Sequence, residues 1–153
     1  MQRRPRARGE RRRGIATVEM ALLLPPLAFI LVAGVDFARV FYYGMVVDGC
    51  ARNGALYGRV TTGDPTSPFA SAQAAALADA TANGLTPAPT VTVGYSSTLS
   101  GPYTSTTQVS PGYVQVTVSW TFTTLFNYPG VPSQSTLTRV CQMSVPAGSP
   151  VTN

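Results

Sequence analysis

Residues Ile15 to Val35 read IATVEMALLLPPLAFILVAGV, an apolar run interrupted by a single charge, Glu19. As a helix rising about 1.5 Å per residue it would span roughly 31 Å, the thickness of a bilayer's hydrocarbon core. Its flanks are asymmetric. Arg11, Arg12 and Arg13 close a run that also holds Arg3, Arg4, Arg6 and Arg8, and Asp36 follows directly on the other side. Positive charge is retained on the cytoplasmic side, so this pattern predicts an N-terminus inside, one transmembrane helix, and the remainder of the chain outside. Pro25 and Pro26 lie within the run. A membrane helix tolerates proline where neighbouring groups re-satisfy the freed carbonyls, and a kink is the simplest expectation.

Charge is scarce and badly distributed. Charged residues make up 11% of the 153, against about 25% in an ordinary soluble domain. The net charge of +5 comes from the leader. Without residues 1–14, four arginines face five acids, a balance of −1. After Arg59 only Asp64, Asp79 and Arg139 are charged. Nucleic-acid binding needs a basic patch on the folded domain, and the sequence supplies none, so no nucleic-acid partner is expected.

Enzymatic classes fall away for similar reasons. The chain has no histidine, the commonest general base and metal ligand. It has no lysine, no Gly-x-Ser-x-Gly elbow, no phosphate-loop signature and no paired carboxylates placed for acid–base work. Two cysteines alone do not complete a zinc shell. Neither catalysis nor a cofactor or metal is expected.

Glu19 is the informative residue of the apolar run. A carboxylate in a membrane helix costs about 2.5–3.5 kcal/mol on insertion scales and is usually functional, although near the interface it could reach the headgroups. Its neighbours are specific. Arg13-Gly14-Ile15-Ala16-Thr17-Val18-Glu19 resembles the processing site of type IV prepilins, in which a basic leader and a glycine precede an apolar helix with glutamate fifth. The longer stretch from Gly14 to Pro25, with Val35-Asp36-Phe37-Ala38-Arg39 and Cys50-Ala51-Arg52-Asn53-Gly54-Ala55-Leu56-Tyr57-Gly58, is similar to the TadE-like family, small pilin-like proteins of the tight-adherence pilus system. Methionine at position 20 departs from the aromatic commoner there. The resemblance covers roughly residues 11–60. It implies a minor pilin or pseudopilin whose partners are the membrane, other pilin-like subunits, pilus assembly proteins and a prepilin peptidase. Cleavage would fall between Gly14 and Ile15. Glu19 would pair with the new terminal amine of a neighbouring subunit and fix helix register. The location implied is the bacterial inner membrane, with possible transfer to a surface pilus. Two other readings stand beside it: an uncleaved membrane-anchored scaffold of the same secretion apparatus, and a secreted surface-binding domain behind a signal peptide cut near Ala33-Gly34.

Beyond the membrane the fold class expected is α+β, with the long N-terminal helix continuing as an amphipathic helix and packing on a small antiparallel sheet, a pilin-like arrangement. Four segments follow: a basic leader 1–14, a transmembrane helix 15–35, an amphipathic extension 36–60, and an exported domain 61–153 with at least three strands. Val40, Tyr43, Val47, Cys50, Gly54 and Tyr57 recur at helical spacing on one face. Asp36–Arg39 and Asp48–Arg52 are spaced to pair along the helix. A turn is predicted over 61–68, then a helix over Phe69–Asn83 stopped by Asn83-Gly84. Strands are predicted at Thr90–Ser96, Val114–Thr123 and about Thr136–Val145, each alternating apolar and polar residues. Cys50 lies on the helix stripe and Cys141 on an apolar strand face. On the exported side they could form a disulfide, closing a loop of about 90 residues and contributing up to about 4–5 kcal/mol. They could equally be two buried thiols acting as small apolar residues.

Overall fold

A computed structural model describes residues 10–60, 68–126 and 132–147 of the chain. The side chains of Arg11, Arg12 and Arg13, most of the basic leader, and the turn containing Asp64 lie outside the described residues. The elements in order are α1 (Glu10–Val60), α2 (Ala72–Ala82), β1 (Thr90–Ser96), β2 (Gly112–Thr123) and β3 (Gln134–Val145). The chain is α+β, as expected. Contacts divide it into two compact units, Met1–Arg39 and Val40–Asn153, with α1 contributing to both.

In the first unit, α1 carries the apolar run, with Pro25 and Pro26 inside the helix. Asp36 and Arg39 pair at 2.9 Å, one helical turn apart.

The second unit is built on alternation. Antiparallel pairing in the order β1-β2-β3 sets Val91, Val93 and Tyr95 opposite Val118, Val116 and Val114. The next strand sets Leu137, Cys141 and Met143 opposite Trp120, Val116 and Val114. Side chains directly opposite each other share a face, so all of these line the inner side of the sheet. Val114, Val116, Val118 and Phe122 are fully or almost fully buried there. The opposite face carries Gln115, Thr117, Ser119, Thr121 and Thr123 on the central strand.

The second half of α1 presents Val47, Cys50, Ala51 and Ala55 to the same core. Its small residues permit close approach. A Cβ added at Gly54 would lie 3.0 Å from the Ala76 methyl, 3.1 Å from the Ala72 carbonyl oxygen and 3.2 Å from Val116 Cγ1. One added at Gly58 would lie 3.0 Å from Val114 Cγ2 and 3.2 Å from both the Ala72 methyl and the Tyr95 hydroxyl. Both α2 and the inner face of the sheet are therefore seated against glycine. Tyr43 extends the packing, its ring centroid 4.8 Å from that of Trp120 and 6.1 Å from that of Phe122.

The end of α1 leaves carbonyls without helical partners. Tyr95 and the buried Gln108 supply them: the Tyr95 hydroxyl donates to the Gly58 carbonyl at 3.4 Å, and Gln108 Nε2 donates to the carbonyls of Gly58 and Arg59, each at 3.3 Å.

The helix predicted from Phe69 begins three residues later. Ser71 is the N-cap, and its hydroxyl accepts from the Ala74 amide at 3.1 Å. Phe69 is held out of the helix, because the Tyr57 hydroxyl donates to its carbonyl and the two rings meet edge to face at 5.8 Å. The predicted stop is present. Gly84 adopts φ +70, and the Leu85 amide reaches back to the Ala80 carbonyl at 3.0 Å.

Candidate functional site

The first candidate site is the apolar half of α1. From Ile15 to Leu31 its large apolar side chains are between 56% and 77% exposed. Burying each side chain of this type would be worth about 1.5–3 kcal/mol. This is the one helix among the described residues that is long and apolar enough to cross a membrane. Gly14 and Ile15 are both exposed at its start, and nothing lies within 4 Å of the position a Gly14 Cβ would take. Glu19 is exposed one turn further on, on the helix surface, where a neighbouring group could reach it.

The second candidate comprises the two cysteines. Both are free thiols in the structure, Cys50 buried and Cys141 half-buried. Burial pushes the Cys50 thiol up to about 11, and the nearby Asp79 carboxylate, which also hydrogen-bonds to it, pushes the same way. Burial likewise raises Cys141, with Arg52 opposing and Asp48 reinforcing the shift. The two thiols thus have different charged neighbours. Asp48 and Arg52 form the predicted i,i+4 pair at 3.7 Å, and each is two residues from Cys50, which places them on the other side of the helix from it. Both thiols are protonated near neutral pH, the inert state for a nucleophile. No group of three or more potential ligands that could hold a metal exists among the described residues.

Gly14, Ile15, Glu19 and Cys50 lie on α1, which already begins at Glu10, and Cys141 lies on β3. Sequence reasoning gave no sign of Asp79 beside Cys50, or of Gln108 at the end of α1. Those contacts join residues about 30 and 50 positions apart in the chain, and no local pattern carries such information.

The described residues thus combine an exposed apolar helix, long enough to cross a membrane, with a helical continuation that packs on a small antiparallel sheet. A family model described as TadE-like protein matches residues 14–56, which bears out the resemblance noted above. The chain thus carries a segment similar to the TadE-like family; residues 57–153 lie outside the match. No curated protein and no solved structure matches the chain.

Proposed function

We propose that this protein is a minor pilin or pseudopilin that joins or primes a tight-adherence, type IV-like pilus from the inner membrane. The observation that carries the reading is that the TadE-like match starts on Gly14 and takes in Glu19, the only charge in the apolar run Ile15–Val35, whose large side chains up to Leu31 are exposed. Arg11, Arg12 and Arg13 hold the N-terminus inside. A prepilin peptidase cuts between Gly14 and Ile15. The Glu19 carboxylate then takes the terminal amine of a neighbouring pilin-like subunit as its partner. In a low-dielectric setting that pairing offsets a burial cost of about 2.5–3.5 kcal/mol and fixes helix register.

The test is the intact mass and N-terminal sequence of the protein taken from its native membrane, followed by assembly of Glu19→Ala. A chain starting at Ile15 and a variant that stays in the membrane without entering the fibre are the expected results. A start at Met1 would move the protein to an uncleaved scaffold of the same apparatus. A start near Val35 would make it a secreted domain and refute the anchor.

A further inference from the structure

From residue 80 to residue 138 the chain contains no charged side chain at all. That stretch supplies two of the three strands and the loop between them. Its consequence is concentrated on the outer face of the sheet. There, hydroxyls stand in rows across the strands, Thr90–Ser119–Thr138 and Thr121–Thr136, with the strand-to-strand spacing of about 4.8 Å. Thr90, Thr121, Thr136 and Thr138 are exposed and Ser119 is half-buried. The Ser119 and Thr138 hydroxyls bond to each other at 2.9 Å. Thr117 and Thr121 show no side-chain hydrogen bond among the described residues.

The array does not stop at the strand ends. Tyr113 closes the central row, half-buried, and its cross-strand partner on β1 is Ser96. Ser96, itself buried and accepting from the Thr98 amide at 3.2 Å, borders an open cavity of about 550 Å3 whose walls are Ser97, Thr98, Thr104 and Ser105 on one hand and Tyr95, Gly101, Pro102 and Val109 on the other. The lining is uncharged and mixes hydroxyls with apolar surface. The loop carrying this cavity is seated tightly on the sheet, since a Cβ at Gly94 would fall 2.3 Å from the Tyr103 carbonyl oxygen.

Several occupants are excluded by this chemistry. Nucleic acid and anionic lipid need cations, and the face has none. A second copy stacked face to face would bury hydroxyls against hydroxyls, with Val140 and Tyr113 as the only large apolar contributors. Sheets that stack do so through apolar inner faces, and buried hydroxyls left unpaired are costly. What remains is an uncharged ligand rich in its own donors and acceptors. A threonine or serine hydroxyl both donates and accepts, so it can meet a sugar hydroxyl in either sense. Tyrosine adds a rigid amphipathic surface at little entropic cost. We propose that the outer face of the sheet, with the adjoining loop cavity, binds an uncharged glycan chain. This inference does not depend on pilus assembly and could fail or hold independently of it.

The test is co-sedimentation of the full-length protein with cellulose and with chitin particles. The detergent should be of the polyoxyethylene type, because a maltoside headgroup would itself compete. The unaltered protein is expected to sediment with at least one of the two polymers. Retention should persist in about 1 M NaCl, where charges are screened within about 3 Å. The double variant Thr117→Val, Thr121→Val keeps the β-branched shape and removes two hydroxyls; its retention should fall about tenfold or more. Thr121→Glu should abolish it. An unchanged emission from Trp120, which faces the core side, checks that each variant is folded. The proposal is overturned if the unaltered protein stays in solution with both polymers, if salt elutes it, or if the folded double variant is retained equally well.

Discussion

Replacing Gly54 by alanine tests how the second unit is held together. The new methyl would meet Ala76 Cβ at 3.0 Å, the Ala72 carbonyl oxygen at 3.1 Å and Val116 Cγ1 at 3.2 Å. Carbon atoms in favourable contact sit about 3.5–4.0 Å apart, so all three approaches fall short of it. None of the three neighbours can swing away. The Ala76 methyl has no rotamer to change, the Ala72 oxygen belongs to the backbone, and Val116 is fully buried. Relief requires α1 to part from α2, and overpacking of this kind costs about 1–3 kcal/mol. Against it stands the helix-propensity gain of glycine to alanine, about 1 kcal/mol. The net expectation is a loss of about 1 kcal/mol, or about 4 °C in Tm.

Gly49 makes the comparison clean. It lies on the same helix, and its added Cβ would meet only Asp79 Oδ2, at an ordinary 3.8 Å. Gly49→Ala therefore keeps the propensity gain and should raise Tm by a few degrees. Subtracting one variant from the other cancels propensity and leaves the steric cost, about 1–3 kcal/mol. Both are measured on the full-length protein in detergent micelles by thermal unfolding followed through Trp120, the single tryptophan. Equal shifts for Gly49→Ala and Gly54→Ala would refute the close crossing of α1 on α2.

Four further outcomes follow from particular residues. The Cys50 thiol, raised from 9.0 to about 11, favours the folded state fully below pH 9 and loses that contribution as pH rises to about 11; it amounts to about 2 kcal/mol. Denaturant unfolding at pH 8 and pH 11 should show that loss shrink in Cys50→Ala, though not vanish, because Tyr95 and Cys141 are shifted upward too. A non-reduced, denatured sample should count two free thiols, whereas a count of zero would establish a Cys50–Cys141 bridge. Ser71→Ala removes the N-cap acceptor of α2 and should cost about 1 kcal/mol, with Ser71→Asn restoring most of it; urea titration of the pair checks this. Gly94→Ala drives a methyl into the Tyr103 carbonyl, 2.3 Å away, and should lower stability by about 1–3 kcal/mol while loosening the loop over the sheet, which amide hydrogen exchange at 97–111 would register.

Legibility in the sequence follows the range of the interaction. Val114 to Thr123 alternates so regularly that its strand and its buried face could be read directly, and the strand gained only Gly112 and Tyr113 at its start. The apolar run was equally plain, since length and composition alone determine whether a helix can span a bilayer. The start of α2 was misplaced because Phe69 and Ala70 suit a helix locally. What keeps them out is Tyr57, twelve residues earlier, and Ser71 is a cap only because of that. Gly54 read as one more position on a packed stripe. Its need to be glycine arises from Ala72, Ala76 and Val116, on two other elements.

That last dependence links the matched and unmatched parts of the chain. The TadE-like match ends at residue 56, yet the residues it contains set conditions on what must follow. Ala51, Gly54 and Ala55, with Gly58 just beyond, form a surface that a large side chain on α2 could not approach. The chain answers with Ala72, Ala75, Ala76 and Ala80, all buried. Small residues on both helices let the backbones come close enough for the carbonyl of Ala72 to stand beside Gly54. A bulky residue at Ala76 would push α2 away from α1 as surely as one at Gly54, so the two substitutions should be non-additive when combined. The matched segment therefore dictates the kind of helix that must follow it, because α2 can approach Gly54 only with small residues at Ala72 and Ala76.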